Sequence, residues 1–346
     1  MEIEVTMPAV SVIIPAHNCK STLGGAVQSA QRQSLRDIEI IVADDGSFDG
    51  TYEYAQSLAA LDPRIVCMRL PKNGGVSAAR NAAIELAKGQ WVAVLDADDW
   101  YEPERLEFLL KAAHDLDADL VGDNLKIYDH AREAVVDQTC HGSRGGPTAL
   151  TPEFLFLRDT PLRMHAIGYV KPFMRREFLG AHNIRYNTAY RTGEDFFLLA
   201  ETTLTGGKAF LIPEAFYVYR HRISPTTRRI SPHSRSEAGF AATVQACDEL
   251  ALKYGNSMSS AARKALQHKR GVFESRIKCG EMLDAIRKKR LFYAACILLE
   301  RPFILVLIMV TAGKYVHANM RAVASGFRKM RPFVNQSSTM IGKPHA

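Results

Sequence analysis

The sequence predicts an α/β protein with a doubly wound, mainly parallel sheet, followed by a basic α-helical C-terminal extension. Three observations carry that expectation. Short β-branched runs alternate with helical patterns over the first hundred residues, polar clusters close each run, and positive charge gathers at the far end.

The elements follow in order. VSVIIP (10–15) is a short apolar run ending in proline and reads as a buried first strand. A helix is expected over 22–33 and a second strand, IEIIVA, over 38–43. TYEYAQSLAAL (51–61) is helical, IVCMRL (65–70) is a third strand, and VSAARNAAIELAKG (76–89) is an Ala-rich helix closed by glycine. WVAVLD (91–96) supplies a fourth strand. A helix over 103–118 and a strand over 119–123 come next, and then the pattern weakens. GSRGGP (142–147) is a loop, 151–158 is helical, and 165–178 mixes extended and helical signals. TGEDFFLLAETTLTGG (192–207) is a helix with an acidic pair in its first turn, and AFYVYRHR (215–222) is a strand entering a basic loop. From 234 onward the chain is helical and increasingly basic.

Composition narrows the class. Of 346 residues, 47% are hydrophobic and 23% charged, which excludes a disordered or low-complexity polymer. The six cysteines are scattered with no C-x-x-C, arguing against a zinc ribbon or disulfide framework and for a reducing compartment. The first residues, MEIEVTMPAV, lack the apolar core of a secretory signal, so a cytoplasmic location is expected. The net charge of +7 divides unevenly: from Lys253 onward, 18 Lys and Arg stand against 4 Asp and Glu, giving +14, which leaves −7 for the first 252 residues. A basic tail on an acidic body points that tail toward an anionic surface.

In doubly wound sheets, ligands sit at the carboxyl ends of the strands. Those ends here carry Pro15-Ala16-His17-Asn18, Asp44-Asp45-Gly46-Ser47, Lys72-Asn73-Gly74-Gly75 and Asp96-Ala97-Asp98-Asp99. So many carboxylates on one rim repel one another unless a cation or hydrogen-bond donors are present. LDADDW (95–100) has the spacing to hold a divalent cation on oxygen ligands, Mg²⁺ or Mn²⁺, with positions left for a diphosphate. The plainer alternative makes Asp99 the cap of the helix near Pro103. In ADDGSFDG (43–50), Asp44 or Asp45 suits a base N–H or a ribose hydroxyl, while a bare strand-to-helix turn capped by Asp49 fits the same residues. NGGVSA matches neither G-x-x-x-x-G-K-[ST] nor G-x-G-x-x-G, which removes the kinase and dinucleotide readings. The acidic pair of Gly193-Glu194-Asp195 suits either a general base or a helix dipole. His165 and His182 have no spacing partner and read as structural.

Taken together, VIIPAHN, ADDGSFDG, NGGVSAARN, LDADDW and GED resemble the family 2 glycosyltransferases, whose fold is called GT-A, and within them the bacterial exopolysaccharide branch of the rhizobial succinoglycan type. The resemblance covers about residues 8–225. It implies a GT-A domain over 8–230, with a nucleotide-binding half (8–125) and an acceptor half (126–230), and a basic helical extension over 231–346. It implies that Pro15, Ala16, His17 and Asp45 or Asp44 line the uridine pocket, that Arg80 lies near the nucleotide, and that Asp96 contacts the ribose. Asp98 is implied as the Mn²⁺ or Mg²⁺ ligand, His221 as a further metal ligand, and Asp195 as the catalytic base. His17 departs from the Tyr or Phe common at that position. The implied activity is inverting transfer of glucose from UDP-glucose to a lipid-linked oligosaccharide. Two alternatives stand beside it. A sugar-1-phosphate nucleotidyltransferase would carry a Gly- and Arg-rich first loop where this chain has PAHNCKSTL. A catalytically silent membrane scaffold would not need Asp96, Asp98 and Asp195 intact.

The most apolar stretch is 291–312, but Glu300-Arg301-Pro302 interrupts it. The charged pair alone would cost about 5–7 kcal/mol at a bilayer centre. With Arg287-Lys288-Lys289-Arg290 before it and Arg321, Arg328, Lys329 and Arg331 after it, the stretch reads as an anchor on the membrane surface. A nucleic-acid partner is not expected, since aromatic residues are not interleaved with the basic ones. The expected location is thus the cytoplasmic face of the inner membrane.

Overall fold

The computed structural model describes residues 7–143, 145–160, 167–221, 237–301, 304–305 and 308–309, and leaves the side chains of His221, Glu237 and Ala238 undescribed. The loop expected from Arg222, His165, and the basic flank Arg321, Arg328, Lys329 and Arg331 lie outside the described residues. The chain divides into two compact units, residues 1–274 and 275–346.

The first unit begins with the expected alternation: β1 (Val10–Ala16), α1 (Lys20–Gln31), β2 (Ile38–Asp44), α2 (Thr51–Ala59), β3 (Ile65–Arg69), α3 (Val76–Leu86) and β4 (Trp91–Val94). β5 (Trp100–Tyr101), α4 (Arg105–Asp115), β6 (Leu120–Asp129), β7 (Ala134–Gln138), β8 (Thr148–Ala149) and α5 (Pro152–Arg158) follow. After a single 3₁₀ turn at Ile167–Tyr169 come β9 (Phe173–Arg175), α6 (Arg176–Ala181), α7 (Glu194–Leu204) and β10 (Ala209–His221). α8 (Glu237–Tyr254) and α9 (Ser260–Arg287) complete the order up to α10 (Leu291–Glu300).

The sheet runs β3-β2-β1-β4-β9-β6-β10-β5, with β7 on β6 and β8 on β10. β1 pairs in parallel with β2 (Val10 opposite Ile38, Ala16 opposite Asp44) and with β4 (Val10 opposite Trp91). β9 lies antiparallel between β4 and β6, and β6 pairs in parallel with β10. β4, β6 and β10 therefore end toward the same side, and their carboxyl termini make one rim.

The two faces of the sheet have separate cores because successive side chains of a strand point opposite ways. Val12, Ile14, Ile40 and Val42 pack with Leu23 and Val27 of α1 and Leu106 and Leu109 of α4. Ile13, Ile41, Val92 and Val94 pack with Ala79 and Ala83 of α3 and Phe196 and Leu199 of α7. Cys247 and Leu250 of α8 and Leu266 of α9 join that second core, so the compact unit runs past the expected boundary at 230. Each buried Val, Leu, Ile or Phe side chain contributes about 1.5–3 kcal/mol. The rim is thus held by rigid strands on both sides.

The second unit has a small core of its own, with Cys279, Met282 and Ala285 against Ala294 and Ile297 of α10 and against Ile304. α10 stops at Glu300, where the charged pair interrupts the apolar run. No helix among the described residues is long and apolar enough to cross a membrane.

Candidate active site

The first wall of the site is the turn after β2. Gly46 adopts φ +67°, and a Cβ there would meet the Asn73 backbone nitrogen at 2.9 Å, so only glycine brings the two loops this close. Asp44 is wholly buried; it accepts from the Ser47 N–H (3.1 Å) and pairs with Arg69 (3.3 Å), which fixes the turn. Asp45 is 3% exposed and accepts from the N–H groups of Gly74 (2.7 Å) and Gly75 (2.8 Å), one oxygen to each. The glycines of the NGG run thus serve Asp45, whose carboxylate fills the anion place at the start of α3. The cap expected of Asp49 is not formed, since the N-cap of α2 is Gly50 at φ +85° with no side-chain cap. Asp49 instead accepts from the backbone N–H groups of Thr51 (3.0 Å) and Lys20 (3.3 Å) and ties the turn together.

Pro15 and Ala16 close β1 and are buried, while His17 stands exposed at the rim. Its Nδ1 donates to the Asp45 carbonyl oxygen (2.9 Å), so the proton sits on Nδ1, and Nε2 accepts from Asn18 Nδ2 (3.0 Å). The ring meets Phe48 edge-on at 6.3 Å, and Phe48 is 86% exposed. This aromatic corner is the part of the turn open to a planar ligand.

The second wall follows β4. The Asp96 N–H donates to the Tyr217 hydroxyl (3.1 Å), which in turn donates to Asp99 Oδ2 (2.8 Å). The other Asp99 oxygen accepts from the Arg220 N–H (2.7 Å). Burial, and then the neighbouring charges of Asp98 and Asp96, push the Asp99 carboxyl well above its usual value. Asp99 is therefore a tie between the β4 end and β10. The capping alternative fails, since α4 begins at Arg105 after Glu104 and has no side-chain cap.

The two walls meet at a buried charge cluster. Arg80, from α3, is 1% exposed and donates to Asp96 Oδ1 (2.8 Å), Asp195 Oδ1 (2.9 Å) and Glu194 Oε1 (3.3 Å). Its guanidinium lies over the Tyr186 ring at 4.9 Å. Lys171, just before β9, is 5% exposed; its Nζ donates to Asp195 Oδ2 (2.9 Å) and pairs with Asp96 Oδ2 (3.0 Å). Burial raises the Asp96 carboxyl, but Lys171 and Arg80 overcome that and hold it well below the usual range. Burial and then the adjacent Asp195 push Glu194 up instead. Gly193 makes this turn possible: at φ +82° it sets both acidic residues at the start of α7.

The structure therefore brings Arg80, Asp96 and Asp195 into direct contact, with Asp98 two residues further along the same loop. Of the residues expected at the neighbouring corner, His17 is exposed, whereas Pro15, Ala16, Asp45 and Asp44 are buried beneath it. His221 closes β10 by its backbone, and its side chain lies outside the described part. Sequence reasoning missed Lys171, Tyr217 and Tyr186. A solitary lysine in an irregular stretch has no motif, and the two tyrosines look like ordinary core aromatics.

A divalent ion fits this donor set in one manner. Among the described residues no three His, Cys, Asp or Glu side chains converge as a closed cage. Asp96 and Asp99 have both oxygens bonded within the protein; Asp98, which also has an interaction partner, is half-buried at the rim. One carboxylate completed by diphosphate oxygens and water is how Mg²⁺ is commonly held.

The sequence pattern of glycosyl transferase family 2 matches residues 11–193. Succinoglycan biosynthesis protein ExoO of Rhizobium meliloti (strain 1021) is 33% identical over 223 residues, 64% of this chain and 63% of that protein. The chain thus spans somewhat less than two thirds of ExoO. Succinoglycan biosynthesis protein ExoU of the same organism is 32% identical over 286 residues, 80% of this chain and 78% of ExoU. S. aureus TarS 1–349, solved in complex with UDP-GlcNAc, gives a TM-score of 0.57 at 18% identity, covering 77% of this chain and 72% of that one. That last likeness is one of fold.

Proposed function

The chain belongs to glycosyltransferase family 2 and has its GT-A fold, and from that premise we propose that it is an inverting transferase of exopolysaccharide synthesis. It moves one sugar, glucose from UDP-glucose foremost, onto a lipid-linked oligosaccharide at the cytoplasmic membrane face. The observation that carries this reading is the contact of Asp195 with the Asp96 rim through two shared cations. A carboxylate able to take a proton from an acceptor hydroxyl so stands beside the β4 end, and that neighbourhood supports the reading. The ExoU alignment, over four fifths of the chain, supports the product class.

The reaction is one in-line displacement. Asp195 accepts the proton of the acceptor hydroxyl as that oxygen bonds to the anomeric carbon. The bond from that carbon to the diphosphate breaks, and UDP leaves with the electron pair. His17 and Phe48 offer an edge for the uracil ring, and Asp96 a rim for the ribose. A Mn²⁺ or Mg²⁺ ion on Asp98 would supply charge stabilisation for the leaving diphosphate. A single base, rather than two flanking carboxyls, separates this scheme from glycoside hydrolysis. The basic cluster Arg287–Arg290 and the exposed side chains of α10 suit an enzyme whose acceptor is embedded in a membrane.

The test incubates the protein with UDP-glucose, Mn²⁺ and a membrane lipid extract. Release of UDP and a lipid glycan heavier by one hexose are expected. Pyrophosphate release would support the nucleotidyltransferase alternative, and no UDP release from any UDP-sugar would sink the transferase reading.

A further inference from the structure

We propose that Lys171 is a positioning residue for sugar transfer, holding the base Asp195 at a fixed angle to the donor-side Asp96. The assignment rests on the reading of those two carboxylates given above. Four side chains form a closed ring of contacts. Arg80 bonds Oδ1 of both aspartates, and Lys171 bonds Oδ2 of both. Each carboxylate is gripped at both oxygens, so neither rotates without breaking a charge-assisted bond.

The four members come from four segments: α3, the loop after β4, the loop before β9, and the first turn of α7. Arg80 is packed against Tyr186 and also serves Glu194. Among the described residues the Lys171 ammonium is shared between the two aspartates, and its backbone is separately secured. Its carbonyl oxygen accepts from Arg105 (2.9 Å), whose guanidinium pairs with Asp123 at 2.8 Å, both side chains being wholly buried. The ammonium is thus delivered from a fixed point. Without it, two like charges at the rim face each other across Arg80 alone, and the Asp195 carboxylate is free to swing. Small displacements of a reacting group cost large factors in rate while leaving remote binding contacts in place.

The experiment measures UDP release from UDP-glucose with Mn²⁺ and membrane lipid extract, alongside calorimetric binding of UDP. Lys171→Met should lower kcat and kcat/KM together by about 100-fold, with UDP affinity kept within about threefold. Lys171→Arg, whose guanidinium again bridges two carboxylates, should recover at least about tenfold of that loss. Adding Lys171→Met to Asp195→Asn should cost little further turnover, because the effect of Lys171 on the proton transfer runs through the Asp195 carboxylate even though the ammonium also holds Asp96. Near-normal turnover in Lys171→Met would overturn the assignment, as would parallel loss of turnover and UDP affinity with no recovery in the arginine variant. If Lys171→Met does not fold, Lys171→Gln takes its place, and misfolding of both would make Lys171 a folding residue and overturn the proposal. A wild-type protein that releases no UDP sinks the transferase reading, and the Lys171 assignment with it. Failure of the assignment alone is read in the variants.

Discussion

Glu194 and Asp195 are neighbours in one helical turn and share Arg80, yet Asp195 also bonds Lys171. Asp195 has a cation on each oxygen, Arg80 and Lys171. Asp195→Asn keeps the shape and removes the proton acceptor, so turnover should fall by about 10²–10⁴-fold. UDP affinity by calorimetry should survive, and near-normal turnover would remove Asp195 as the base. Glu194 pays for its position: burial and the Asp195 charge hold its carboxyl above the ordinary value, against the pull of Arg80 and Lys171. A carboxyl raised on folding stabilises the native state below its unfolded value of 4.5, and that stabilisation is lost as pH rises through the raised folded value. Glu194→Gln should therefore raise Tm at neutral pH, with the gain shrinking as the pH falls toward 4.5. A gain that grows on acidification would contradict this. Among single residues, the sequence displayed Asp96, Asp98 and Asp195 because motifs flank them. Lys171 was hidden because its partners stand 24 residues or more away and meet it only once the sheet is assembled.

At the level of elements, the first four strands were legible almost to the residue. Each is a β-branched apolar run, and the helix between each pair leaves only a parallel connection. The later strands were harder to read. β9 has three residues, enters antiparallel, and divides β4 from β6, which no local pattern announces. The expected strand at 119–123 runs on to Asp129, and the one expected from 215 begins at Ala209, because each completes the other by parallel pairing. Asp99 illustrates the same limit, since its partners Tyr217 and Arg220 lie more than a hundred residues away. What joins this half to α4 is the fully buried Arg105–Asp123 pair, with Arg105 also stacked over Tyr101 at 4.3 Å. Asp123→Ala leaves the guanidinium buried with its counter-charge gone and should cost about 3–5 kcal/mol. Urea unfolding measures that loss, and a change below about 1 kcal/mol would show that the pair does not tie α4 to β6.

Across the whole chain, charge and apolar surface are distributed together. The first 252 residues carry −7 and the remainder +14, so on the proposed membrane-surface role the end of the chain is the part an anionic bilayer would attract. α10 turns Ala294 and Ile297 into the core of its own unit, while Leu291, Phe292, Tyr293 and Leu299 stay exposed, Phe292 at 85% and Leu299 at 82%. A helix apolar on both sides is expected to meet a second apolar medium. Directly before it stand the exposed Arg287, Lys288, Lys289 and Arg290, of which Lys288 already pairs with Asp284 at 2.8 Å. Such cations contribute about 1 kcal/mol each near an anionic leaflet, so Lys289→Ala with Arg290→Ala should weaken binding to phosphatidylglycerol vesicles by roughly 30-fold. Phe292→Glu with Leu299→Glu should weaken it as well, by removing the apolar contact and adding repulsion. Cosedimentation of the folded full chain measures both, with neutral phosphatidylcholine vesicles as the reference. Equal binding to the two vesicle types would remove the electrostatic part of the anchor. Binding indifferent to both double substitutions would leave the exposed face of α10 to a protein partner, and the acceptor would then have to reach the enzyme without help from this surface.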